Sequence, residues 1–303
     1  METLGSQLSR YGAISNPLPV PATGKIFFVL TSSATYLGDF MSEFTNDKDG
    51  FPRIYTTINA AMAACVANRG DVIYVLPGHV ENITSATTLV CNKAGVRIQG
   101  VGEGTARPTL TWTTSAAATI PVSAANVTID NMILTLTGVA AVTAGITPTA
   151  AGFTLSNSTV NTASATFQAA LGILTTAAAN NMTITGNRFL GTPNAGTAAA
   201  IRVVGGANLS VRNNVFLGNY TTTLGAIDNA TTACTNAQIE NNFIYNATAL
   251  STVALNFQAA STGIISNNRM QILSGTAPIV GAAMSWVGGN SYAATIATAG
   301  TAI

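Results

Sequence analysis

The sequence contains a degenerate repeat whose copies are separated by 26 to 31 residues. The clearest copies are Asn-Leu-Ser-Val-Arg-Asn-Asn-Val-Phe at 208–216 and Asn-Ala-Gln-Ile-Glu-Asn-Asn-Phe-Ile at 236–244. The copies begin at Gly95, Asn126, Gly152, Asn181, Asn208, Asn236 and Thr262. A period in this range is typical of solenoids, in which each repeat packs only on its neighbours.

The first part of each copy predicts a short β-strand. The residue three positions after the start is a branched aliphatic in every copy: Ile98, Ile129, Leu155, Ile184, Val211, Ile239 and Ile265. The positions on either side of it are mainly polar. This period-two alternation places one face of the strand inside and the other outside.

A turn is predicted directly after this strand. Position five is only Gly or Asn: Gly100, Asn131, Asn157, Gly186, Asn213, Asn241 and Asn267. These residues enter the left-handed backbone region at low cost, so a turn is expected in every copy. Position six is Asn in the last four copies, Asn187, Asn214, Asn242 and Asn268. Stacked Asn side chains can hydrogen-bond to one another, which predicts a structural ladder along the axis.

From the second copy onward, an apolar residue returns at position eight, and a variable segment then leads to the next copy. A strand, a tight turn, a second strand and a variable return predict an all-β parallel β-helix. With about 4.8 Å between paired strands, seven coils would extend about 30 Å. One coil before Gly95 and a partial coil near Trp286 are expected to lengthen it.

The residues before the repeats divide into two segments. Residues 25–69 are expected to hold a strand at Lys25–Leu30 and a helix at about 55–69. Thr56 or Thr57 would cap the helix start and Gly70 would end it. This helix is a candidate cover for the open first coil of a β-helix that occupies residues 70–303.

Residues 1–24 are predicted to form an extended arm. Prolines alternate at Pro17, Pro19 and Pro21, with Leu18 and Val20 between them, and this pattern excludes a helix. The five residues are the candidate partner-binding segment, on the hypothesis that the arm lies against a neighbouring subunit. A flexible tail is the alternative.

Composition narrows the classes of partner. Charged residues make up 8% of the chain and the net charge is +1, so nothing favours binding to nucleic acid or an anionic membrane. The sequence lacks an 18-residue apolar run and an N-terminal signal-peptide pattern. Cys65, Cys91 and Cys234 lack metal-site spacing, which predicts buried free thiols in a reducing compartment. No cofactor is expected.

The acidic residues argue against a glycosidase. Asp130, Asp228 and Glu240 are the only acids after residue 104. Asp130 and Glu240 share one outward column four coils apart, about 19 Å at 4.8 Å per coil. A glycosidase pair needs roughly 5–9.5 Å between its carboxyl groups. Glu240 is instead expected to form a surface ion pair with Arg212 in the next coil, and His79 is expected in a turn.

The first coils resemble a known superfamily. Ile-Tyr-Thr-Thr-Ile-Asn-Ala-Ala at 54–61, Arg-Gly-Asp-Val-Ile-Tyr-Val-Leu-Pro-Gly at 69–78 and Ile-Gln-Gly-Val-Gly at 98–102 carry the resemblance. With the Asn-Asn coils, residues 54–275 resemble right-handed parallel β-helix proteins of the pectate-lyase-like superfamily. The resemblance implies a right-handed β-helix. The superfamily includes polysaccharide lyases and hydrolases, phage tailspikes and non-enzymatic phage virion proteins.

The resemblance, the arm and the dispersed acids together favour a non-enzymatic phage virion structural protein. The expected role is that of a capsid decoration (cement) protein, a homotrimer that binds the major capsid protein. It would be made in the host cytoplasm and located on the capsid surface of the virion. The alternative is a tailspike or another polysaccharide-active β-helix, with a site assembled between subunits. A non-viral adhesin is a further alternative.

Overall fold

A computed structural model describes residues 24–31, 46, 50, 52–191, 197–220, 224–229, 231–246, 253–272, 278–281, 283–293 and 301–302. The predicted arm segment Pro17, Leu18, Pro19, Val20 and Pro21 lies outside the described residues. The described chain is an all-β parallel β-helix of about eight coils, which confirms the predicted fold class.

The strands lie in three sheets. Sheet 1 contains eleven strands, in the order Ile54–Tyr55 (β2), Ile26–Val29 (β1), Val72–Val75 (β3), Arg97–Gly100 (β5), Thr128–Asp130 (β8), Thr154–Ser156 (β11), Thr183–Thr185 (β14), Ser210–Arg212 (β17), Ala237–Glu240 (β20), Gly263–Ser266 (β23) and Met284–Trp286 (β26). Sheet 2 contains ten strands, in the order Val80–Asn82 (β4), Thr109–Thr111 (β6), Ile133–Thr135 (β9), Thr159–Asn161 (β12), Arg188–Gly191 (β15), Val215–Gly218 (β18), Phe243–Asn246 (β21), Arg269–Ile272 (β24), Ser291–Ala293 (β27) and Thr301–Ala302 (β28). Sheet 3 contains seven strands, in the order Ile120–Val122 (β7), Ile146–Pro148 (β10), Leu171–Leu174 (β13), Ala199–Arg202 (β16), Ile227–Asn229 (β19), Leu255–Phe257 (β22) and Ile279–Val280 (β25).

The repeat sets the register of the stack. From β5 onward, each full coil supplies a strand to sheet 1, then to sheet 2, then to sheet 3. Each of these strands pairs in parallel with the equivalent strand of the next coil; in sheet 1, for example, Ile98 pairs with Ile129 and Ile129 with Leu155. The predicted aliphatic column is therefore one continuous internal row. The coil itself returns the chain to the same sheet, so parallel pairing needs no helical crossover.

The core runs along the axis between the three sheets. The aliphatic column of sheet 1 is almost completely buried, and so is the Ile row of sheet 3 that includes Ile173, Ile201 and Ile227. Sheet 2 contributes Phe189 and Phe216, whose rings stack with centroids 4.9 Å apart and an interplanar angle of 11°. Like side chains therefore pack on like side chains from one coil to the next.

The predicted left-handed turn occurs in six copies. Asn131, Asn157, Gly186, Asn213, Asn241 and Asn267 all have φ between 50° and 69°. Gly100 does not have a positive φ and is the last residue of strand β5. The prediction was wrong there because the next segment is a longer loop in which Gly102 has φ 111°. A Cβ on Gly100 would lie 2.2 Å from the Asn131 carbonyl oxygen, so close backbone approach explains this glycine.

A second column of residues with left-handed backbone conformation lies at the start of the repeat, where no turn was predicted from the sequence. Six residues in this column have φ between 55° and 76°: Gly95, Asn126, Gly152, Asn181, Asn208 and Asn236. In this column Asn208 donates to Asn181 and Asn236 donates to Asn208, each through Nδ2 to Oδ1 at 2.8 Å. The five coils that begin at Asn126, Gly152, Asn181, Asn208 and Asn236 therefore turn both before and after their sheet 1 strand, with Asn or Gly at each turn.

Asn187, Asn214, Asn242 and Asn268 form a continuous buried hydrogen-bond ladder. In each, the main-chain N–H and side-chain Nδ2 donate to Oδ1 of the Asn in the next coil, at 2.9–3.1 Å. Each Nδ2 also donates to a main-chain carbonyl of the preceding coil, at 2.8–2.9 Å. The ladder continues to Asn290, and Ser158 N–H donates to Asn187 Oδ1 at its other end. Every Asn thus ties together three coils.

The helix α1 spans Ile58–Ala64, and Thr57 caps it by accepting the Ala60 N–H at 3.2 Å. Ile58, Ala61 and Met62 are buried, and the helix packs on β1, β2 and β3. The predicted extent to residue 69 was too long. The Val66 N–H donates to the Asp71 carboxylate at 2.7 Å rather than to a helical carbonyl, so the chain has left the helix there.

The last described strand folds back on the stack. β28 pairs antiparallel with β27 at the edge of sheet 2, so Tyr292 lies opposite Thr301. This pairing covers the edge of β27, which would otherwise expose unpaired backbone groups. Among the described residues, no helix has the length and apolar character needed to cross a membrane.

Candidate functional site

Asp130, on the outer side of sheet 1, joins neighbouring coils. Arg97 Nη2 lies 2.7 Å from its Oδ2, while Ser156 Oγ and Asn157 Nδ2 each donate to Oδ1 at 2.8 Å. Burial alone would raise the pKa of Asp130. The hydrogen bonds from Ser156, Asn157 and Arg97, with the charge of Arg97, outweigh burial and lower it. This carboxylate is therefore held as an anion by contacts across three coils.

Asp228 has an equivalent role in sheet 3. It lies in β19, and its register neighbours are Arg202 on one side and Asn256 on the other. Arg202 Nε donates to Oδ2 at 2.6 Å and Asn256 Nδ2 donates to Oδ1 at 2.9 Å. Both carboxylate oxygens are thus used to hold adjacent coils together, and the side chain is buried.

Glu240 lies in the same outer column as Asp130. The register runs from Asp130 through Ser156, Thr185 and Arg212 to Glu240, which is four coils away as predicted. The expected ion pair between Arg212 and Glu240 is not among the ion pairs of the described residues. Glu240 Oε1 instead accepts a hydrogen bond from Ser266 Oγ at 3.2 Å. The structure therefore separates the acids that the sequence placed in different coils.

Asp71 organises the start of the solenoid. Arg69 donates to both carboxylate oxygens, at 2.6 and 2.7 Å, and the main-chain N–H groups of Lys25 and Val66 each donate at 2.7 Å. Burial would raise the pKa of Asp71, but these hydrogen bonds and the charge of Arg69 lower it. The contacts join the residue before β1 to the segment that follows α1.

His79 lies between β3 and β4, in agreement with its predicted place in a turn. Its Nε2 is 3.3 Å from Glu81 Oε2, which also accepts the Ile58 N–H at 2.9 Å. Both side chains are buried, and His79 Nδ1 has no hydrogen-bond partner. The pair links helix α1 to the first strand of sheet 2.

The buried carboxylates predict a specific pH dependence of stability. The lowered folded-state pKa of Asp130 lies below the value of about 3.9 for an unfolded chain. Its contribution to stability is therefore present above about pH 4 and is lost as the pH falls through the folded-state value. In Asp130→Asn, we expect the unfolding free energy to fall less steeply below pH 4 than in the wild type. Urea titrations at several pH values measure this, and parallel curves for the two proteins would contradict it.

The three cysteines are buried free thiols, as predicted. Burial raises the pKa of Cys91 to about 12 and, with the charge of Asp71, raises the pKa of Cys65 to about 12. Because the thiolate is the reactive form, these residues are inert packing groups at neutral pH. Within the described part of the chain, no group of three His, Cys, Asp or Glu side chains is positioned to hold a metal ion.

The outer face of sheet 2 changes character along the axis. Its two outward columns hold mainly Thr and Asn in the early coils, including Thr135, Thr159 and Asn161. In the later coils they hold Leu190, Val215, Leu217, Phe243 and Tyr245, which we call the apolar patch. These five side chains are at least partly exposed, with Phe243 at 42%.

Arginines border the apolar patch. Arg188 precedes Val215 in one outward column, and Arg269 follows Phe243 in the same column. Arg188 in turn pairs in register with Thr159. The sequence signal for this surface was positions seven and nine of the repeat, which change from Thr and Asn to Leu, Val, Phe, Tyr and Arg. Position eight, which carries the predicted apolar residue, faces inward and gives no sign of this outer surface.

Arg107 reaches the same edge of sheet 2 from the loop between β5 and β6. Its Nε donates to the Gly104 carbonyl at 3.1 Å, Nη1 to the Asn157 carbonyl at 3.1 Å, and Nη2 to Thr159 Oγ1 at 2.8 Å. Partial burial, together with the nearby charge of Arg188, lowers the pKa of Arg107. Arg107 therefore contacts Thr159 directly, and Arg188 is the register neighbour of Thr159 in the next coil.

The chain matches no protein-family model, no curated protein and no solved structure.

Proposed function

We propose that this chain is a non-enzymatic structural protein of a phage virion, specifically a homotrimeric capsid decoration protein that binds the major capsid protein. The observation that carries the proposal is the use of the coil carboxylates. Both carboxylate oxygens of Asp130 and of Asp228 accept hydrogen bonds from neighbouring coils, so these acids stabilise the rod. Such acids are poorly placed to exchange protons with a substrate.

The surface supports an assembly role. Only 8% of all residues are charged, against about 25% in a typical soluble globular domain. The apolar patch on sheet 2 exposes neighbouring Leu, Val, Phe and Tyr side chains, and contiguous apolar patches mark interaction sites. A rigid rod with a low charge and an apolar outer face fits a subunit that is covered by partners.

One observation favours the second candidate, a tailspike or other glycan-binding β-helix. Phe243 and Tyr245 lie two residues apart on the same outward face, and aromatic rings in such a position can stack on sugar rings. Binding to a panel of host surface polysaccharides, measured by calorimetry, separates the two candidates. Saturable binding or cleavage would favour the second.

The capsid role predicts a specific effect of the N-terminal segment. Deleting residues 1–23 leaves Gly24 and Lys25, whose N–H bonds Asp71, in place. We expect the truncated chain to stay folded and to lose attachment to capsids, because the alternating prolines would clamp neighbouring coat subunits. Circular dichroism checks folding, and co-sedimentation with purified capsids measures attachment.

A matched variant tests the proline pattern itself. Replacing Pro17, Pro19 and Pro21 with Ser keeps the length of the segment and removes its extended preference. We expect weaker attachment than in the wild type. Attachment that survives both the deletion and the substitutions would remove the clamp from the proposal.

A further inference from the structure

We propose that Arg107, Thr159 and Arg188 form an anchor site for a carboxylate on an acidic protein surface, and that the apolar patch receives the rest of that partner. This inference rests on the proposed structural function and names the surface through which a protein partner is bound. Within the described part of the chain, Arg107 and Arg188 have no carboxylate partner and the outward columns of sheet 2 contain no acid.

The unbalanced charge is that of Arg107. All three of its hydrogen-bond acceptors are uncharged, two main-chain carbonyls and the Thr159 hydroxyl. Among the described residues, no carboxylate pairs with it. A partly buried cation is costly unless an anion compensates it. Two of its five N–H groups remain available for a further acceptor.

The neighbour is Arg188, one coil beyond Thr159 in the same outward column. Its side chain is exposed, and no ion pair or hydrogen bond of the guanidinium is present among the described residues. Strand spacing places Thr159 and Arg188 about 4.8 Å apart along the axis. The charge of Arg188 contributes to the lowered pKa of Arg107, so the two guanidinium groups repel each other in the free chain. A carboxylate between them would accept charge-assisted hydrogen bonds from both.

The Thr159 hydroxyl completes the anchor. Because its oxygen accepts from Arg107 Nη2, its own hydrogen is free to point toward an added anion. Only 9% of the Thr159 surface is exposed, so its hydroxyl would donate to the anion from the base of the site.

The outer face of sheet 2 indicates which kind of molecule carries the carboxylate. Its described outward columns contain no Asp, Glu or Lys, and its later coils combine Arg with Phe, Tyr, Leu and Val. Protein interfaces are enriched in aromatic residues and Arg and depleted in Lys, Glu and Asp. Glycan sites need many side-chain hydrogen-bond donors and acceptors, whereas aliphatic rows such as Leu190 and Leu217 offer none. The composition therefore favours an acidic protein surface.

The dimensions of the face fit a protein contact. Arg188 and Arg269 are three coils apart, about 14 Å at the strand spacing, and the apolar patch lies alongside and between them. A partner with an acidic side chain at the Arg107 end and apolar side chains beyond it would match this arrangement.

The first test uses the free chain at low salt. Arg188→Gln removes the repulsion with Arg107, so we expect the urea midpoint to rise and the gain to shrink as salt screens the charges. Arg212→Gln is the matched control, since it removes an exposed arginine from the outer face of sheet 1 with the same change in net charge. A lower midpoint for Arg188→Gln, or an equal rise in the control, would count against the anchor.

The second test measures binding with a glutamate–tyrosine random copolymer as the acidic protein-like probe and polygalacturonate as the acidic glycan probe. We expect Arg188→Gln to weaken copolymer binding about tenfold, as loss of a charged hydrogen-bond partner predicts. Phe243→Ser should weaken it as well, and Arg212→Gln should not. The assignment would be overturned if the chain bound polygalacturonate more tightly than the copolymer, or if it did not bind the copolymer. Self-association that depends on Arg188, without copolymer binding, would also overturn it.

The two proposals fail separately. The copolymer assay uses the isolated chain and reads only the anchor. Capsid co-sedimentation reads the structural function and does not depend on the copolymer.

Discussion

Replacing Phe216 with Ala is expected to lower the free energy of unfolding by about 3–5 kcal/mol. Phe216 is completely buried in sheet 2 and its ring stacks on Phe189 with centroids 4.9 Å apart. The substitution removes a large apolar side chain and leaves a cavity, because the coils above and below are held in register by the strand pairing. Equilibrium urea unfolding followed by circular dichroism measures the loss.

Phe243→Ala is the matched control. Phe243 lies in the next coil, in register with Val215 rather than with Phe216, and its side chain faces outward. We expect a loss below about 1 kcal/mol, since surface substitutions away from core features have small effects. Similar losses for the two variants would mean that the inward and outward columns of sheet 2 are assigned incorrectly.

Asn242→Ala is expected to cost about 3 kcal/mol, because it interrupts the buried ladder in the middle. Its Oδ1 accepts from Asn214 N–H and Nδ2, and its Nδ2 donates to Val211 O and Asn268 Oδ1. Removing the amide leaves the buried Asn214 N–H without its acceptor, and each orphaned buried group costs about 1–3 kcal/mol. The φ of residue 242 is not in the left-handed region, so Ala adds no backbone strain.

The comparison for this prediction is Asn161→Ala on the outer face of sheet 2. Asn161 makes a single side-chain bond there, from Nδ2 to Thr135 Oγ1 at 3.3 Å. We expect its loss to be below about 1 kcal/mol, because water replaces an exposed partner. Thermal and urea unfolding of both variants under one set of conditions gives the difference, and a cost for Asn242→Ala no larger than for Asn161→Ala would refute the ladder as a stabilising element.

The repeat columns were predictable because each depends on local chemistry. An aliphatic residue at position three and Gly or Asn at position five specify a strand and a left-handed turn without reference to distant residues. Gly100 is the exception, and its reason is tertiary, since the Asn131 carbonyl of the next coil leaves no room for a Cβ. The third sheet was harder to predict because its strands, such as Ala199–Arg202, lie in Ala-rich segments of variable length.

The contacts of the candidate site could not be predicted from the sequence. Arg107 contacts Thr159 Oγ1 across 52 residues, and the contact exists only because the strand after residue 157 stacks two coils above the loop that holds Arg107. Nothing in the sequence around position 107 indicates that no carboxylate of the described residues pairs with Arg107. The position of Asp228 was also not predictable from the sequence, because only the register of sheet 3 places it between Arg202 and Asn256.

The amino-acid sequence by itself determined the all-β class, the coil length, the inward aliphatic row and the left-handed turns that follow the sheet 1 strands, apart from Gly100, because these follow from side-chain periodicity and backbone preference within one repeat. Only the tertiary structure decided which side chains meet across coils. Stacking brings residues 22 to 52 positions apart into contact, and that proximity sets the Asn ladder bonds, the coil-bridging carboxylates and the contact of Arg107 with Thr159.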